Sequence, residues 1–365
     1  MNRSISEIGL VEDYYSARER FLAVCDARSL KVASYRHPLQ GPDGNPIFTD
    51  AVRIGRRDAN KVLLVNSGIH GVEGYAGSHA QVDIVRTFDT VRLSADTAIV
   101  LIHLINPWGT AWRRRQNEDN IDLNRHFIDR SQASPANEPH KRLISEGFLD
   151  ALSAPSPTAA LQQIDDFREL YGEDLYAQAV FQGQYDCPGG LGFGGVAPSW
   201  SQQTLEAALN DLLSNPESLA LIDLHTGLGP FGTGTLICTE VPDSDQIAVL
   251  REWYDTHFVA LLVDQEGLPY KLQGDLANGV RRILPSTRVL PISLEFGTYD
   301  ARRFAELMVR DAWAETKGNP QYPEVEAIRC DLMHFFYPRS RVWRAMVASR
   351  TISVAEMAFA GLSTL

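Results

Sequence analysis

The segment KVLLVNSGIHGVEGYAGSHAQVDIVRTF, residues 61–88, carries a strand pattern, a glycine-flanked loop and a helix pattern in immediate succession. Residues 61–66 are mostly apolar, as in a strand buried inside a sheet, and residues 75–88 repeat apolar side chains at helical spacing. A strand that leads through such a loop into a helix is the repeating unit of α/β folds. The segment therefore predicts a sheet with helices packed on it.

The same alternation continues on both sides of this segment. Strands that alternate with helices indicate an α/β sandwich, although 365 residues alone allow either one large domain or two. Residues 131–200 are rich in Ser, Ala and Pro and then in Gly, which predicts an insertion. The predicted strands are 31–36, 47–54, 61–66, 98–106, 219–225, 235–240 and 289–296, and the predicted helices are 11–28, 75–88, 161–180, 204–213 and 246–263.

Composition excludes several classes of protein. Apolar residues make up 44% and charged residues 22%, so the chain has enough apolar material for a sizeable core. The net charge of −12 has the wrong sign for binding nucleic acid. No apolar run approaches the about 20 residues that a membrane span requires, so no membrane association is expected. Acidic residues at the N-terminus argue against an export signal, and four scattered cysteines argue against a disulfide framework, which together predict a cytoplasmic protein.

His70 and Glu73 lie three residues apart in the loop that follows the first buried strand. An imidazole and a carboxylate at this spacing can bind one Zn²⁺. The spacing alone is a weak signal, because nine histidines in a chain with 46 acidic residues give about one such pair by chance, and His126 with Asp129 is another. A hydrogen-bonded loop histidine is the alternative interpretation.

Two further strands end in residues of the same chemistry. The strand at 219–225 ends in His225, and the strand at 289–296 carries Glu295 in an otherwise apolar run. Ligand sites of open α/β sheets gather beyond the carboxyl ends of strands. Two histidines and one carboxylate would leave a position on zinc for water, as catalytic sites require, and Glu295 is then a candidate general base. A salt-bridged glutamate at a strand end is the alternative for Glu295.

The stretch INPWGTAWRRRQNEDNIDLNRHF, residues 105–127, concentrates arginines in an acidic protein. Guanidinium groups bind carboxylates and stabilise developing oxyanions, so the stretch predicts part of a substrate pocket. A solvated basic loop is the alternative. The glycine-rich GLGFGG at 190–195 fits a dinucleotide-binding pattern but follows no buried strand, so we do not expect it to bind a nucleotide.

Five elements of the sequence occur in the order seen in zinc metallocarboxypeptidases. They are HxxE, NPxG, an arginine before DLNR, a His at a strand end and a Glu at a strand end. The chain resembles that family over roughly residues 65–300, and it looks most similar to bacterial cytoplasmic members rather than to secreted digestive enzymes. The superfamily also holds succinylglutamate desuccinylases and aspartoacylases. The resemblance implies a three-layer α/β/α sandwich with a mixed, mostly parallel central sheet, formed by residues 1–365 as a single catalytic domain with the insertion at 131–200.

The resemblance also assigns roles to individual residues. It implies one Zn²⁺ per chain, a general base that takes a proton from the zinc-activated water, and an arginine that polarises the substrate, for which Arg114 remains a rival to Arg115. Two residues are implied to hold the substrate's carboxylate, and one carboxylate to orient the first zinc histidine. In this chain the zinc ligands are His70, Glu73 and His225, the base is Glu295, the arginine is Arg115, the carboxylate-binding pair is Asn124 and Arg125, and the orienting carboxylate is Asp122.

The resemblance implies a zinc-dependent hydrolase that cleaves an amide bond next to a free carboxylate in a small peptide. A deacylase that releases the acyl group from N-acyl amino acids is the alternative within the same superfamily, and a catalytically silent protein that binds peptide C-termini is a third. Two tyrosines, Tyr270 and Tyr299, are candidates for a residue that caps the substrate.

Overall fold

A single eight-stranded sheet forms the centre of the protein, in the order β1-β2-β4-β3-β5-β8-β6-β7. The computed structural model of the protein describes residues 10–11, 13–88, 93–239, 244–254, 258–260, 270, 272–317, 319 and 322–365. The strands are β1 (Val32–Gln40), β2 (Pro46–Ile54), β3 (Lys61–Ser67), β4 (Thr97–His103), β5 (Ser218–Gly227), β6 (Gly234–Cys238), β7 (Phe258–Ala260) and β8 (Arg288–Gly297).

Helices cover both faces of this sheet. Among the described residues they are α1 (Tyr14–Ala27), α2 (Gly74–Thr87), α3 (Pro107–Ala111), α4 (Glu138–Ser145), α5 (Phe148–Leu152), α6 (Thr158–Tyr171), α7 (Glu173–Phe181), α8 (Trp200–Leu212), α9 (Asp245–Tyr254), α10 (Leu276–Ile283), α11 (Ala301–Thr316), α12 (Pro323–Phe336) and α13 (Arg341–Leu362), with short 3₁₀ turns at Gly71–Glu73 and Leu123–Arg125.

The sheet is mixed and mostly parallel, which confirms the predicted fold class. The pairs β3/β4, β3/β5, β5/β8 and β6/β7 are parallel, whereas β1/β2, β2/β4 and β6/β8 are antiparallel. The central strands β3 and β5 have parallel neighbours on both sides and are buried along almost their whole length. Burial on both faces explains why their sequences read as continuous apolar runs rather than as alternating ones.

Alternate side chains of the central strands enter two separate cores. In β3, Leu63 and Val65 pack with α1, α2 and the C-terminal helices, whereas Val62 and Leu64 pack with α8 and α10 on the opposite face. This alternation follows from the two-residue period of a strand. The result is the predicted α/β/α sandwich, with the sheet as its middle layer.

Two of the predicted helices need correction. The helix predicted over 161–180 is two helices, because Gly172 adopts a φ of 86° between α6 and α7, a conformation that interrupts an α-helix. The helix predicted over 246–263 ends at Tyr254, and backbone pairing with β6 makes Phe258–Ala260 a strand. The remaining residues of that prediction, 255–257 and 261–263, lie outside the described residues.

The region 131–200, predicted as an insertion, contains four helices. Its helices are α4 to α7, whereas 131–137 is irregular and 182–199 is an irregular glycine-rich segment. Helix α6 packs against both α7 and α11, and α6 and α7 line a cleft near the carboxyl edge of the sheet.

Helix α13 is long and apolar enough to meet a length and composition criterion for a membrane span, with 44% of its most apolar window buried inside the fold. It packs against α2 and the strands β3 and β5, and Trp343 and Val347 are among its fully buried residues. A core helix meets the same criterion, and this packing is that of a core helix.

Candidate active site

The predicted site residues gather at the carboxyl edge of three neighbouring strands. His70 lies three residues beyond the end of β3, His225 is near the end of β5, and Glu295 is near the end of β8. Because β5 and β8 are parallel and in register, His225 and Glu295 are direct cross-strand partners. Their side chains therefore stand beside each other on the same face of the sheet.

Three potential metal ligands converge at this edge. Ligand atoms of His70, Glu73 and His225 all lie within 4.8 Å of one another, and all three residues are buried. The His70 Nδ1 atom is 2.8 Å from Glu73 Oε1, yet the two do not form a hydrogen bond of acceptable geometry. His225 Nδ1 is 3.3 Å from Glu73 Oε2. Two imidazole nitrogens and a carboxylate that converge in this way suit a shared cation, and His70 Nδ1 has no hydrogen-bond partner among the described residues, so these residues fit a metal ion.

The outer nitrogen of each imidazole is held by a carboxylate. His70 Nε2 is 3.1 Å from Asp122 Oδ1, and His225 Nε2 is 2.8 Å from Asp223 Oδ2. Asp223 also accepts a 2.7 Å hydrogen bond from Asn66 Nδ2, which fixes its orientation. A carboxylate on one ring nitrogen keeps the proton there and leaves the other nitrogen free to bind a metal. The role of Asp223 was missed at the sequence level, although its place two residues before His225 was a usable signal.

The charges of this cluster stabilise one another. Burial raises the pKa of the Glu73 carboxyl, but the neighbouring imidazoles of His70 and His225 outweigh it, and the net pKa lies well below the usual range. Burial lowers the pKa of His225, but the negative charges of Asp223 and Glu73 raise it by more. The net pKa of His225 is therefore raised. The backbone N–H of Thr226 also donates to Glu73 at 3.0 Å. Glu73 therefore stays ionised and available as a ligand.

Glu295 is in a different electrostatic environment. Burial, followed by the nearby negative charge of Glu73, raises the pKa of its carboxyl to about 7. Its one hydrogen bond among the described residues is accepted from the backbone N–H of Leu228 at 3.0 Å. A carboxylate with a pKa near neutrality and few hydrogen bonds is suited to exchange protons.

The three consecutive arginines point in different directions. Arg113 pairs with Glu326 on α12 at 2.7 Å. Arg114 is 1% exposed and pairs with Asp311 at 3.2 Å and with Glu315 at 2.6 Å, both on α11. These two side chains join the loop to the C-terminal helices. Arg114 therefore lies away from the metal-ligand cluster.

Arg115 is directed toward the cluster. Its Nη1 atom is 2.5 Å from Asp122 Oδ2, and its Nε atom is 3.6 Å from Glu73 Oε1. Asp122 thus bridges Arg115 and His70 with its two oxygens. Of the two rival arginines, the structure brings Arg115 to the predicted site.

Backbone contacts hold the HGVE turn, residues 70–73, against helix α3, which begins within the NPWG motif at 106–109. A Cβ atom on Gly71 would lie 2.2 to 2.5 Å from backbone atoms of Gly109 and Thr110. The N–H groups of Gly71 and Val72 donate to the carbonyls of Arg115 and Arg114 at 3.0 and 2.7 Å. Two of the sequence motifs therefore need glycine because their backbones touch, and this contact sets the position of His70 and Glu73.

Replacing Gly71 with Ala is expected to destabilise the protein by roughly 1–3 kcal/mol, the usual cost of overpacking, and to lower metal affinity. Gly189→Ala is a matched control, because a Cβ there would only touch Leu149 at an ordinary 3.7 Å. Urea unfolding of both variants and of the parent measures the difference. Equal stability of the two variants would contradict this interpretation of the contact.

A cleft of about 390 Å³ opens beside the cluster. Arg115 and Leu228 border it on the side of the metal ligands, and Tyr270 and Arg125 also line it. Its remaining walls are largely aromatic and aliphatic and come from α6, α7 and α11: Arg168, Glu173, Tyr176, Ala177, Phe181, Ala301, Arg302, Phe304 and Ala305. Apolar walls with a few polar groups are typical of small-molecule sites.

The two residues predicted to bind a carboxylate line different cavities. Arg125 lines the cleft, whereas Asn124 borders a separate, much smaller cavity beside Asp223, and its Oδ1 accepts a 3.4 Å hydrogen bond from the backbone N–H of Leu276. Of the two candidate capping tyrosines, Tyr270 lines the cleft and Tyr299 does not, since its hydroxyl is bonded to His334 at 3.1 Å on the surface.

The GLGFGG segment packs directly on the DLNRHF stretch. The Phe193 carbonyl accepts a hydrogen bond from the Asp122 N–H at 2.7 Å, and the Gly194 carbonyl lies 2.7 Å from His126 Nδ1. A Cβ on Gly195 would lie 2.7 Å from Ile121 Cδ1 and 3.0 Å from His126 Nδ1. The glycines thus allow close packing against the residues that support the site.

The fold of this chain is similar to that of a solved structure. Over its whole length the chain is similar to bovine thrombin-activatable fibrinolysis inhibitor in complex with tick carboxypeptidase inhibitor, with 12% identity, a TM-score of 0.50 and coverage of 99% of this chain and 100% of the other. The protein therefore has the metallocarboxypeptidase fold, as the sequence motifs predict.

Two further solved structures are similar at lower scores. Carboxypeptidase A from Helicoverpa armigera has 11% identity and a TM-score of 0.47, covering 91% of this chain and 76% of the other. A putative metallopeptidase from Shewanella amazonensis has 13% identity and a TM-score of 0.43, covering 93% and 92%.

Residues 10–350 match the family described as protein of unknown function DUF2817, and the chain belongs to that family. No curated protein matches the sequence.

Proposed function

We propose that the protein is a metal-dependent hydrolase that cleaves an amide bond next to a free carboxylate, with one Zn²⁺ held by His70, Glu73 and His225. The observation that carries the proposal is the convergence of three ligand atoms within 4.8 Å, beside a general base on the neighbouring strand. A zinc ion held there would lower the pKa of a water molecule and polarise the substrate carbonyl.

Glu295 acts as the general base and then as the acid. Its carboxyl, whose pKa of about 7 reflects burial and the charge of Glu73, accepts a proton from the attacking water. The same carboxyl returns the proton to the leaving nitrogen, which would otherwise depart as an unstable amide anion. A pKa near neutrality suits both transfers.

Arg115 stabilises the negative charge that develops on the carbonyl oxygen. Its guanidinium is fixed by the 2.5 Å contact with Asp122 and lines the cleft, so it needs no reorganisation during the reaction. Because Asp122 also contacts His70, the oxyanion donor and one metal ligand keep a fixed separation. Retention of both Arg115 and Glu295 argues against a silent binding protein, since binding a carboxylate requires neither of them.

Arg125 binds the free carboxylate of the substrate in the cleft. It is 6% exposed, and among the described residues it forms no ion pair with an acidic side chain within 4 Å. A buried guanidinium without an acidic partner is a suitable receptor for an anionic ligand. Tyr270 lines the same cleft, which supports it as the residue that covers a bound substrate.

Arg125→Lys is expected to raise KM for substrates with a free carboxylate by roughly tenfold or more, because an ammonium cannot form the bidentate pair. Turnover of the corresponding carboxamides should change little. Steady-state kinetics on matched acid and amide substrates measures the effect. An unchanged preference between acid and amide in the variant would rule out this role for Arg125.

The nature of the products distinguishes the two hydrolytic alternatives. We would assay zinc-reconstituted protein on a panel of small peptides and N-acyl amino acids and identify the products by mass spectrometry. Release of C-terminal residues supports a carboxypeptidase, and release of acyl groups supports a deacylase of the desuccinylase or aspartoacylase type. A protein that binds zinc but hydrolyses neither set would be the silent binding protein.

A further inference from the structure

The guanidinium of Arg125 is held by the C-terminal end of α7, within the 131–200 region. The carbonyl of Phe181, the last residue of α7, accepts hydrogen bonds from Arg125 Nε at 3.0 Å and from Nη2 at 2.6 Å. Nη1 donates to the carbonyl of Asn124 at 2.9 Å. The carbonyl end of a helix carries partial negative charge, so it suits a cation without neutralising it fully.

Among the described residues, this arrangement leaves part of the guanidinium without a partner. Arginine has five N–H donors, and three of them are used by the carbonyls of Phe181 and Asn124. The two remaining donors are on the terminal nitrogens Nη1 and Nη2, the pair that binds a carboxylate with two parallel hydrogen bonds. The Phe181 carbonyl thus occupies one edge of the guanidinium, and one N–H donor on each terminal nitrogen remains for a ligand in the cleft.

Gly183 packs against the aliphatic part of the same arginine. Its φ of +96° favours glycine, and a Cβ there would lie 2.8 Å from Arg125 Cδ and 2.9 Å from Cγ. The side-chain amide of Asn137, which is 2% exposed, donates to the carbonyls of Gly183 and Gln178 at 2.9 Å each. The end of α7 is therefore fixed, and only a residue without a side chain fits at position 183.

The main chain of Arg125 is held by the same region. The hydroxyl of Tyr185 donates to the Arg125 carbonyl at 2.6 Å and is buried. Guanidinium, stem and backbone of Arg125 therefore all contact residues 181–185.

We propose that residues 181–185 of the 131–200 region form the positioning element of the carboxylate-binding subsite, with Gly183 as its critical residue. This inference rests on the proposed function in that Arg125 is the receptor for the substrate's carboxylate. It assigns to the 131–200 region a role in recognising the carboxylate, since the region sets the direction of the receptor's free donors.

The test compares two alanine variants with the same backbone strain. Gly183 and Gly147 both have a φ of +96° and both lie in the 131–200 region, but a Cβ on Gly147 would meet nothing within 4 Å. Each variant is built on Glu295→Gln, so that bound ligands are not hydrolysed. The probes are N-benzoylglycyl amino acids and their carboxamides, and calorimetry on the zinc-loaded proteins gives the dissociation constants.

In the Glu295→Gln parent we expect acids to bind more tightly than the matching amides. Gly183→Ala should reduce this preference roughly tenfold or more, the usual effect of misplacing a charge-assisted hydrogen-bond pair, whereas Gly147→Ala should leave it unchanged. Equal preferences in the two variants, or no preference in the parent, would overturn the proposal.

Thermal melting and a second, milder variant separate misplacement of Arg125 from loss of the fold. Thermal melting of each protein reports whether it is folded, and Tyr185→Phe removes only the hydroxyl that contacts the Arg125 carbonyl. We expect a smaller, severalfold loss of preference in Tyr185→Phe, as for one hydrogen bond. The unmodified protein, in which Glu295 is intact, is assayed for amide hydrolysis as well. If the acid preference follows the prediction but the unmodified protein hydrolyses no amide, the proposed function fails and the positioning role stands.

Discussion

Replacing Glu295 with Gln is expected to lower kcat by roughly two to four orders of magnitude, the usual contribution of general acid–base catalysis. Glutamine has nearly the same shape and can still accept the hydrogen bond from the Leu228 N–H, so the local structure should persist. An amide cannot take a proton from water at neutral pH. The metal should remain bound, because Glu295 is not among the three converging ligands.

The matched control for this substitution is Glu169→Gln, which removes the charge of an exposed glutamate on α6. Metal content, thermal melting and steady-state kinetics of both variants should be measured together. Full activity in Glu295→Gln would exclude the glutamate as the base. Loss of activity accompanied by loss of metal would instead assign Glu295 a structural role at the site.

Replacing His225 with Ala is expected to abolish both metal binding and hydrolysis. The substitution removes one of three ligands and leaves the buried carboxylate of Asp223 without its 2.8 Å imidazole partner. Loss of a buried partner for a charged group costs about 1–3 kcal/mol or more, so lower stability should accompany the loss of metal. Elemental analysis and urea unfolding measure the two effects.

Two controls separate loss of metal from loss of fold. His334→Ala removes an exposed histidine on α12 and should retain the metal and full activity. Chelation of the intact protein by 1,10-phenanthroline should reproduce the loss of activity, and added zinc should restore it. A His225→Ala variant that kept its metal and its activity would show that the ligand set is wrong.

Much of the candidate site was predictable, because parallel strands bring their carboxyl ends to one edge. His70, His225 and Glu295 each follow or end an apolar run, and the order of the sheet places β3, β5 and β8 side by side. The alternation of strands and helices was likewise sufficient for the fold class. The sequence did not specify which strands are neighbours, and register between β5 and β8 is what makes His225 and Glu295 adjacent.

Contacts between distant segments could not be predicted. The choice between Arg114 and Arg115 depends on Asp311, which is almost 200 residues further along the chain and lies on a helix that was not predicted. Similarly, the composition predicted an insertion at 131–200, but it did not predict that Gly183 and Gly194 pack against Arg125 and Gly195 against His126. The sequence shows where the glycines are, but it does not show which residue packs against each of them.

Zinc titration of the metal-free protein, with amide hydrolysis as the readout, tests the central claim most directly. Activity should rise in proportion to added zinc and reach its maximum at one equivalent per chain, with Glu295→Gln showing the same zinc stoichiometry and almost no turnover. Hydrolysis that is complete without metal, or that stays absent although one zinc is bound, would contradict the proposal that this cluster is the catalytic centre of a metal-dependent amide hydrolase.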